Sequence, residues 1–402
     1  MTLLNPTPRT SPPARPRRPW RVALRLVVAL VVLYFLTRGF ILDGFIVRSG
    51  SMEPLFHGHP DEGDRLLILK PFYDFVAPRR FDLVVFRGPA AENHGEKGGL
   101  MVKRVVAHGG ETLALRNGDL YVNGELVRKN RTEFDDLLIA VKRWRCSDED
   151  PDFVFGRGYF VRTGGALVED AGTLGPDDPA TMVEGPDVRD DIPAAEGRPA
   201  VPGEVLVGDL RLRVRFEVLE DRGFVELRLQ EEVDVFRARI GTRGAGGGVK
   251  LYHNQAANPR NQVAADDSFR GLDAGTVHEL EFYNIDNRVG LLLDGRPLLG
   301  EYEYESNTLL AGGTWRNRPA FGAPGAKVAF HEVKIDRDVY WVSRGRLAAE
   351  PCAVSEGHVF VLGDNSRLSL DSRDVEIGDV PLRSIVGRPL LIFYPLGRFR
   401  AL

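Results

Sequence analysis

The 402-residue sequence has few cysteines and no excess of basic residues. Cys146 and Cys352 are its two cysteines, too few for a cysteine metal cluster or a disulfide framework. The net charge of −4 argues against nucleic acid as the main partner, because phosphate binding needs a basic surface. Glycine (44 residues) and proline (26 residues) are abundant, and this favours a β-rich fold with many turns. We expect no cofactor and no metal.

The N-terminal segment predicts a membrane anchor. Residues 1–19 are rich in proline and arginine and lack acidic residues, so we expect a disordered cytoplasmic tail. Residues 20–42 are mostly apolar, and the part from about Trp20 to Thr37 meets the minimum of ~17–20 residues for a transmembrane helix if Arg38 reaches the interface. A buried core helix is the alternative. No Ala-x-Ala pattern follows for a cleaved signal peptide, and the preceding arginines place the N-terminus inside.

The segments 45–130 and 356–402 read as short strands. Strand-like runs at 64–69, 81–86, 100–106, 358–362 and 387–394 are bounded by Gly, Pro and Asp. Asn117-Gly118 and Asn123-Gly124 predict type I′ hairpin turns. No amphipathic helix stands out, so we expect an all-β unit.

Ser51 and Lys103 are the candidate catalytic pair. A serine hydroxyl is a weak nucleophile unless a base removes its proton, and a neutral lysine can be that base. Lowering a lysine pKa from ~10.4 to about 8 costs ~3 kcal/mol, and burial among apolar residues supplies such a shift. Lys103 lies between Val102 and Val105 in a predicted strand. The alternative is an ordinary exposed strand lysine.

Five short motifs occur in one order along the chain. The motifs are Ser49-Gly50-Ser51-Met52-Glu53-Pro54, Gly63-Asp64, Arg80-Phe81-Asp82-Leu83-Val84-Val85-Phe86, Lys103-Arg104-Val105 and the stretch Gly363 to Arg373. Together they resemble the type I signal peptidases, membrane-bound Ser/Lys endopeptidases of family S26 that remove signal peptides from exported proteins.

The resemblance implies a role for each matched residue. Ser51 is the nucleophile and Lys103 the general base. The Ser49 hydroxyl and the Ser51 backbone N–H form the oxyanion hole. Ser369 orients the lysine amine. Further residues have supporting or substrate-binding roles: an Asp371–Arg373 ion pair that fixes the last motif, Asp364 and Asn365 as supports, and Met52 and Pro54, which shape the turn and contact substrate.

The sequence departs from the family pattern in two places. Ser366 stands where the family often has arginine, and Arg367 follows it. After the serine motif, His57 and His59 lengthen the loop. These histidines raise a Ser/His alternative, but no suitably placed acid accompanies them. We expect them to face solvent.

A long insertion, residues 146–351, separates the two halves of the predicted catalytic domain (43–145 plus 352–402). Residues 172–202 resemble a linker. From about 203 to 342, alternating strands such as Leu210 to Val218 predict an antiparallel β-sandwich similar to concanavalin-like (LamG-type) jelly rolls. The fold class is therefore mainly β. The insertion ends must lie close together, so Cys146 and Cys352 are a disulfide candidate.

The function implied is a bacterial inner-membrane, single-pass signal peptidase I with its catalytic domain outside. Its expected partners are Ala-x-Ala signal peptides, the lipid bilayer and a glycan or protein ligand of the sandwich. Three alternatives remain open: an inactive peptidase unit that carries a binding module, a self-cleaving Ser/Lys protein, and a processing protease with few substrates.

Overall fold

The computed structural model describes residues 41–89, 99–156, 159–170, 182–192, 200–254, 261–306 and 316–402, with isolated positions between 20 and 30. The predicted tail 1–19 and most of the predicted anchor 20–42 lie outside the described residues. Within the described part of the chain, no helix has the length and hydropathy that a membrane crossing requires.

The described residues form mainly β structure, as predicted. Two short helices, α1 (Phe72–Phe75) and α2 (Arg131–Leu137), accompany the strands. In chain order the strands are β1 (Leu42–Ile46), β2 (Arg65–Leu69), β3 (Leu83–Arg87), β4 (Leu100–His108), β5 (Thr112–Arg116), β6 (Asp119–Val122), β7 (Glu125–Leu126), β8 (Ile139–Arg145), β9 (Val154–Phe155), β10 (Tyr159–Thr163), β11 (Ala166–Asp170), β12 (Met182–Glu184), β13 (Leu210–Glu220), β14 (Phe224–Glu231), β15 (Asp234–Gly241), β16 (Val249–Asn254), β17 (Gln262–Asp266), β18 (Val277–Ile285), β19 (Arg288–Leu293), β20 (Arg296–Pro297), β21 (Tyr302–Glu303), β22 (Ala320–Gly322), β23 (Lys327–Arg337), β24 (Cys352–Ala353), β25 (His358–Leu362), β26 (Val380–Pro381), β27 (Ile385–Tyr394) and β28 (Arg400–Ala401).

The two ends of the chain build one eight-stranded sheet in the order β1-β2-β27-β3-β4-β25-β26, with β28 paired to β27. A four-stranded sheet, β24-β5-β6-β7, packs against it through buried side chains that include Leu113, Trp341 and Phe360. Both predicted type I′ turns are confirmed, since φ is positive at Asn117 and Gly118 (52° and 93°) and again at the second turn.

The insertion forms two sheets around one apolar core. A nine-stranded sheet contains β10-β11-β23-β13-β18-β19-β20, with β8 and β21 attached, and a seven-stranded sheet has the order β17-β16-β15-β14-β22-β12-β9. Every second residue of β13 from Leu210 to Val218 is buried in this core, which also takes residues from β14, β15, β18 and β23. The apolar residues of the alternating pattern thus form part of the inward face of the nine-stranded sheet.

The boundaries differ from those expected. Strands β8 to β12 join the two sheets, so the sandwich starts near residue 139 and not near 203. The chain also returns to the catalytic unit before residue 352, because Val339 and Trp341 already pack with the four-stranded sheet. These strands are short, and their Pro- and Gly-rich surroundings hide the alternation on which the sequence interpretation depends.

Helix α2 was not expected from the sequence. Asn130 caps it by accepting hydrogen bonds from the amides of Thr132 and Glu133, and the Glu133 side chain accepts from the Asn130 amide. This Asn-x-x-Glu capping box is a recognisable start signal. The helix has only two buried residues, Phe134 and Leu137, and this is too few to produce a clear amphipathic pattern.

The two cysteines are free thiols, and this corrects the disulfide candidate. Cys146 is buried in the sandwich core, where burial raises its pKa to about 12. Cys352 pairs with Leu113 through β24 and packs against the other core. Each thiol is therefore fixed by a different core, although the two residues bracket the same insertion.

The sandwich holds a carboxyl group whose titration should be visible in its stability. Glu169 is fully buried on β11, and the Ala323 amide donates a 2.8 Å hydrogen bond to Glu169 Oε2. Burial raises its pKa to about 8, while an unfolded glutamate titrates near 4.5. Between these pH values only the folded state keeps the proton, so stability is lost as pH rises.

We predict that the sandwich is less stable at pH 8 than at pH 5, by on the order of a few kcal/mol from this group. Glu169→Gln, which keeps an acceptor for the Ala323 amide, should reduce this pH dependence. Urea unfolding followed by tryptophan fluorescence, to which Trp144 of the same core contributes, is the measurement. Glu303→Gln, at an exposed position of β21, is the control. Equal pH dependence in wild type and Glu169→Gln would contradict the assignment.

Candidate active site

Ser51 lies in a short 3-10 turn, Gly50–Met52, directly after β1. The last motif of the chain, Gly363 to Arg373, holds this turn from the other side. The Asn365 side-chain amide donates to Gly50 O at 2.9 Å, and the Asn365 backbone amide donates to Ser51 O at 3.1 Å. Residues more than 300 positions apart thus fix the backbone of the candidate nucleophile.

Lys103 reaches Ser51 from β4. Its Nζ donates a hydrogen bond to Ser51 Oγ, and the two residues are only 2% and 6% exposed. Lys103 pairs with Val84 of β3 in the sheet and is flanked by the buried Val102. A strand alternates its side chains, so Arg104 points away from Ser51 and forms a two-point ion pair with Asp364, at 2.9 and 2.7 Å. The strand therefore supplies the candidate base on one face and a structural anchor on the other.

Ser49 and Ser369 both lie near Ser51 but differ in their contacts. Ser49 Oγ donates to Ser51 Oγ at 3.3 Å. Ser369 is buried, and its Oγ has no hydrogen-bond partner among the described residues. It lies close to the Ser51 carbonyl, because a Cβ built on Gly363 would be 2.2 Å from Ser369 Oγ and 2.4 Å from Ser51 O. Only glycine fits at position 363.

Asp371 and Arg373 form a fully buried ion pair. Arg373 Nε and Nη2 donate to the two Asp371 oxygens at 2.8 and 2.7 Å. The Gly363 amide donates to Asp371 Oδ2 at 3.1 Å, which ties the pair to the site. Ser366, at the position where the family often has arginine, accepts a 2.6 Å hydrogen bond from Arg373 Nη1 and another from the Val342 amide. The serine thus takes part in the same network.

Arg367 contacts the insertion and not the catalytic loop. Its guanidinium donates to Asp190 at 2.5 and 3.2 Å, and Glu204 lies 2.9 Å away. Burial alone would raise the pKa of Asp190, but hydrogen bonds from Arg367 and two backbone amides lower it. Arg344, which the sequence analysis did not single out, donates to Ser369 O and to Asp374. No motif marked Arg344, because it acts through a contact that only the fold creates.

Met52 and Pro54 have different surroundings. The Met52 side chain is completely buried in the core beneath the turn, so the structure gives it a packing role and corrects the expected contact with substrate. Pro54 keeps a partly exposed face and lines a cavity of about 470 Å³. Arg104, Asp364 and Arg388 also line this cavity.

The two histidines of the loop are not the solvent-facing residues that were expected. His57 has a side chain only 11% exposed, with Nδ1 3.7 Å from Glu53 Oε1. His59 Nδ1 accepts hydrogen bonds from the amides of Asp61 and Glu62. Neither imidazole has a described hydrogen bond to Ser51, whereas Lys103 has one.

The family model described as "Signal peptidase, peptidase S26" matches residues 20–139 and 295–394, together more than half of the chain. The chain belongs to the signal peptidase family. Signal peptidase I of Mycobacterium tuberculosis is 33% identical over 145 residues, which covers 28% of this chain and 49% of the relative. Signal peptidase I T of Bacillus subtilis is 29% identical over 142 residues, 34% of this chain and 66% of that protein.

The chain spans about half the length of several curated signal peptidases that it matches. Two solved structures each align with about half of the chain. The carbohydrate-binding module CBM66 from Bacillus subtilis aligns with a TM-score of 0.30 at 10% identity, over 46% of this chain and 95% of that module. A protein of unknown function with a galectin-like fold, from Bacillus subtilis, gives a TM-score of 0.34 at 11% identity, over 49% of this chain and 96% of that protein.

The buried ion pair yields a stability prediction. Arg373→Met removes the hydrogen-bonded counter-charge of the buried Asp371 carboxylate and leaves only Arg344, which lies 4.0 Å away and is already paired with Asp374, so we expect a loss of ~3–5 kcal/mol in the free energy of unfolding. The double variant Asp371→Leu/Arg373→Met should recover part of this loss, because no unpaired charge remains. Urea unfolding measures both. Arg383→Met, at an exposed position of the same unit, is the control. A loss below about 1 kcal/mol for Arg373→Met would show that the pair does not hold the loop.

Proposed function

We propose that this chain is a type I signal peptidase, a serine endopeptidase that removes signal peptides from exported preproteins. The observation that carries the proposal is the hydrogen bond between the buried Lys103 amine and Ser51 Oγ, in a chain of this family. A pair of this kind can hydrolyse an amide without histidine, metal or cofactor, since the lysine replaces the imidazole base.

In the proposed reaction, the neutral Lys103 amine accepts the Ser51 proton while Oγ attacks the scissile carbonyl carbon. The oxyanion that forms is bound by the Ser51 backbone N–H and the Ser49 hydroxyl. The Lys103 ammonium then gives its proton to the leaving amine, and the C–N bond breaks to leave an acyl ester on Ser51. Lys103 then accepts a proton from a water molecule that attacks the ester carbon. The bond from this carbon to Ser51 Oγ breaks, the peptide leaves as its carboxylic acid, and the Lys103 ammonium returns the proton to Oγ.

The supporting residues position this pair. Asn365 holds the turn that carries Ser51, and Asp364 fixes β4 through Arg104. The Asp371–Arg373 pair fixes the loop that carries Ser369. We propose that the Ser369 hydroxyl contacts the Lys103 amine during the reaction, because it is buried beside the site and has no described partner.

The substrate peptide would bind as an extended strand between β1 and β4. Among the described residues, β1 pairs only with β2, and the Leu100–Lys103 part of β4 pairs only with β3. Both strands therefore offer backbone groups toward a narrow cleft. The cleft is lined by Phe45, Val47, Arg48, Ser49, Ser51 and residues 100–103. Its narrowness favours small side chains such as those of an Ala-x-Ala signal, because backbone pairing supplies affinity and shallow pockets supply selectivity.

The bilayer is the second proposed partner. We propose that residues 20–42 anchor the chain, with residues 1–19 in the bacterial cytoplasm and the catalytic unit outside. The apolar character of that segment and its preceding arginines support this topology. Phe75, Leu396 and Phe399 are 84, 79 and 64% exposed. Exposed large apolar side chains of this kind suit a unit that works at a lipid surface.

The cleavage of a model preprotein with an Ala-x-Ala site tests the proposed activity. Ser51→Ala and Lys103→Met should each lower kcat/KM by at least ~10³-fold, because removing either member of a nucleophile–base pair disables both. Lys250→Met, at an exposed position of the sandwich, should cleave like wild type and controls for the loss of a positive charge.

The same assay separates the main alternative. Wild type that fails to cleave the preprotein, in a folded and membrane-bound state, would favour an inactive peptidase unit that carries a binding module. Full activity of Lys103→Met would rule out the proposed base while leaving Ser51 as a nucleophile.

A further inference from the structure

Three aspartates from distant parts of the chain meet where the four-stranded sheet contacts the sandwich. Asp119 begins β6, Asp209 directly precedes β13, and Asp286 lies in the turn between β18 and β19. Each offers one carboxylate oxygen, and these three atoms all lie within 4.8 Å of one another. The exposed fractions of the three residues are 9, 8 and 0%.

One of these carboxylates is only half satisfied. Asp209 Oδ2 accepts a 3.2 Å hydrogen bond from the Asp286 amide. Asp209 Oδ1 is buried and has no hydrogen-bond partner among the residues that the structure describes. A buried carboxylate oxygen without a partner is costly, so this position calls for a bound proton or cation.

The charges around the cluster do not balance. Lys129 Nζ donates to Asp286 and, at 2.8 Å, to Asp338, whose Oδ1 also has no partner among the described residues. One ammonium thus faces four carboxylates. Burial, and then the neighbouring negative charges, raise the pKa values of Asp119 and Asp209 well above the ordinary range. In the absence of another cation, the cluster must take up protons.

The donor atoms indicate which cation fits. Carboxylate oxygens are ligands for hard divalent ions, and no sulfur or imidazole donor belongs to the cluster. Ca²⁺–oxygen distances of about 2.3–2.6 Å place opposite ligands roughly 4.6–5.2 Å apart, whereas Mg²⁺ requires about 4.0–4.2 Å. The three carboxylate oxygens all lie within 4.8 Å of one another, which is inside the span that the ligands of one Ca²⁺ ion occupy.

We propose that Asp119, Asp209 and Asp286 bind a Ca²⁺ ion that joins the β5–β6 hairpin to the sandwich. Asp119 belongs to the unit that carries the Ser–Lys pair, and the other two belong to the insertion. The ion would therefore stabilise the contact between the two units. The expectation of no metal followed from the two cysteines, and these aspartates are too far apart in the sequence to form a motif.

The test uses the full chain in detergent micelles, stripped with a chelator and then supplied with CaCl₂ or MgCl₂ at about 1 mM. We expect Ca²⁺ to raise the Tm of the wild type by about 5 °C, and Mg²⁺ to raise it less. Asp209→Asn should abolish the Ca²⁺ response. Asp273→Asn, which removes a solvent-exposed carboxylate elsewhere on the sandwich, should keep it.

Calcium binding to the wild type gives a second readout that does not depend on the folding of a variant. Isothermal titration should show one Ca²⁺ bound per chain, and Asp273→Asn should bind the same amount. If the cluster is neutralised by protons and Lys129 alone, the wild type will bind no Ca²⁺ and its Tm will not change. Either result would overturn the proposal.

Discussion

The contact between the Lys103 amine and Ser51 Oγ is the interaction on which the proposed chemistry depends. It joins a strand, β4, to a 3-10 turn that follows another strand, and the two side chains are almost fully buried. Neither element fixes the contact alone. Asn365 holds the turn and Asp364 holds β4, so one motif near the end of the chain sets the distance between the two reacting groups. A substitution that disturbs this motif would displace both reacting groups at once, and small displacements of reacting groups lower the catalytic rate strongly.

The insertion is linked to this motif by charged contacts. Arg367 belongs to the motif and pairs with Asp190 of the insertion. Arg344 lies in the segment that follows the sandwich and donates a hydrogen bond to the carbonyl of Ser369. These contacts therefore connect the insertion directly to the motif that positions Ser51 and Lys103. The aspartate cluster lies at a second contact between the same two units. A ligand that changed the position of the sandwich would therefore act on the catalytic unit at two places, the charged contacts to the last motif and the aspartate cluster.

Local patterns predicted much of this fold. The alternation in β13, the two Asn-Gly turns and the runs that became β2, β3, β4 and β25 follow from side-chain burial and backbone preference, both of which are local. The extent of the sandwich was not predictable in this way, because β9 and β12 have only two or three residues and depend on their partners. Ser51 and Lys103 could be paired only through the family motifs, since 52 positions separate them. The contacts of Ser366, Arg344 and Asp209 are created by the tertiary fold and have no sequence signature.

The most direct measurement is the capture of the acyl-enzyme. The purified chain is mixed with a slowly deacylated ester of an Ala-x-Ala peptide, quenched in acid, digested and analysed by mass spectrometry. We expect an acyl group on Ser51 that accumulates in the wild type and forms far more slowly in Lys103→Met. An acyl group on another residue, or equal rates of formation in the two proteins, would contradict the proposed nucleophile and base.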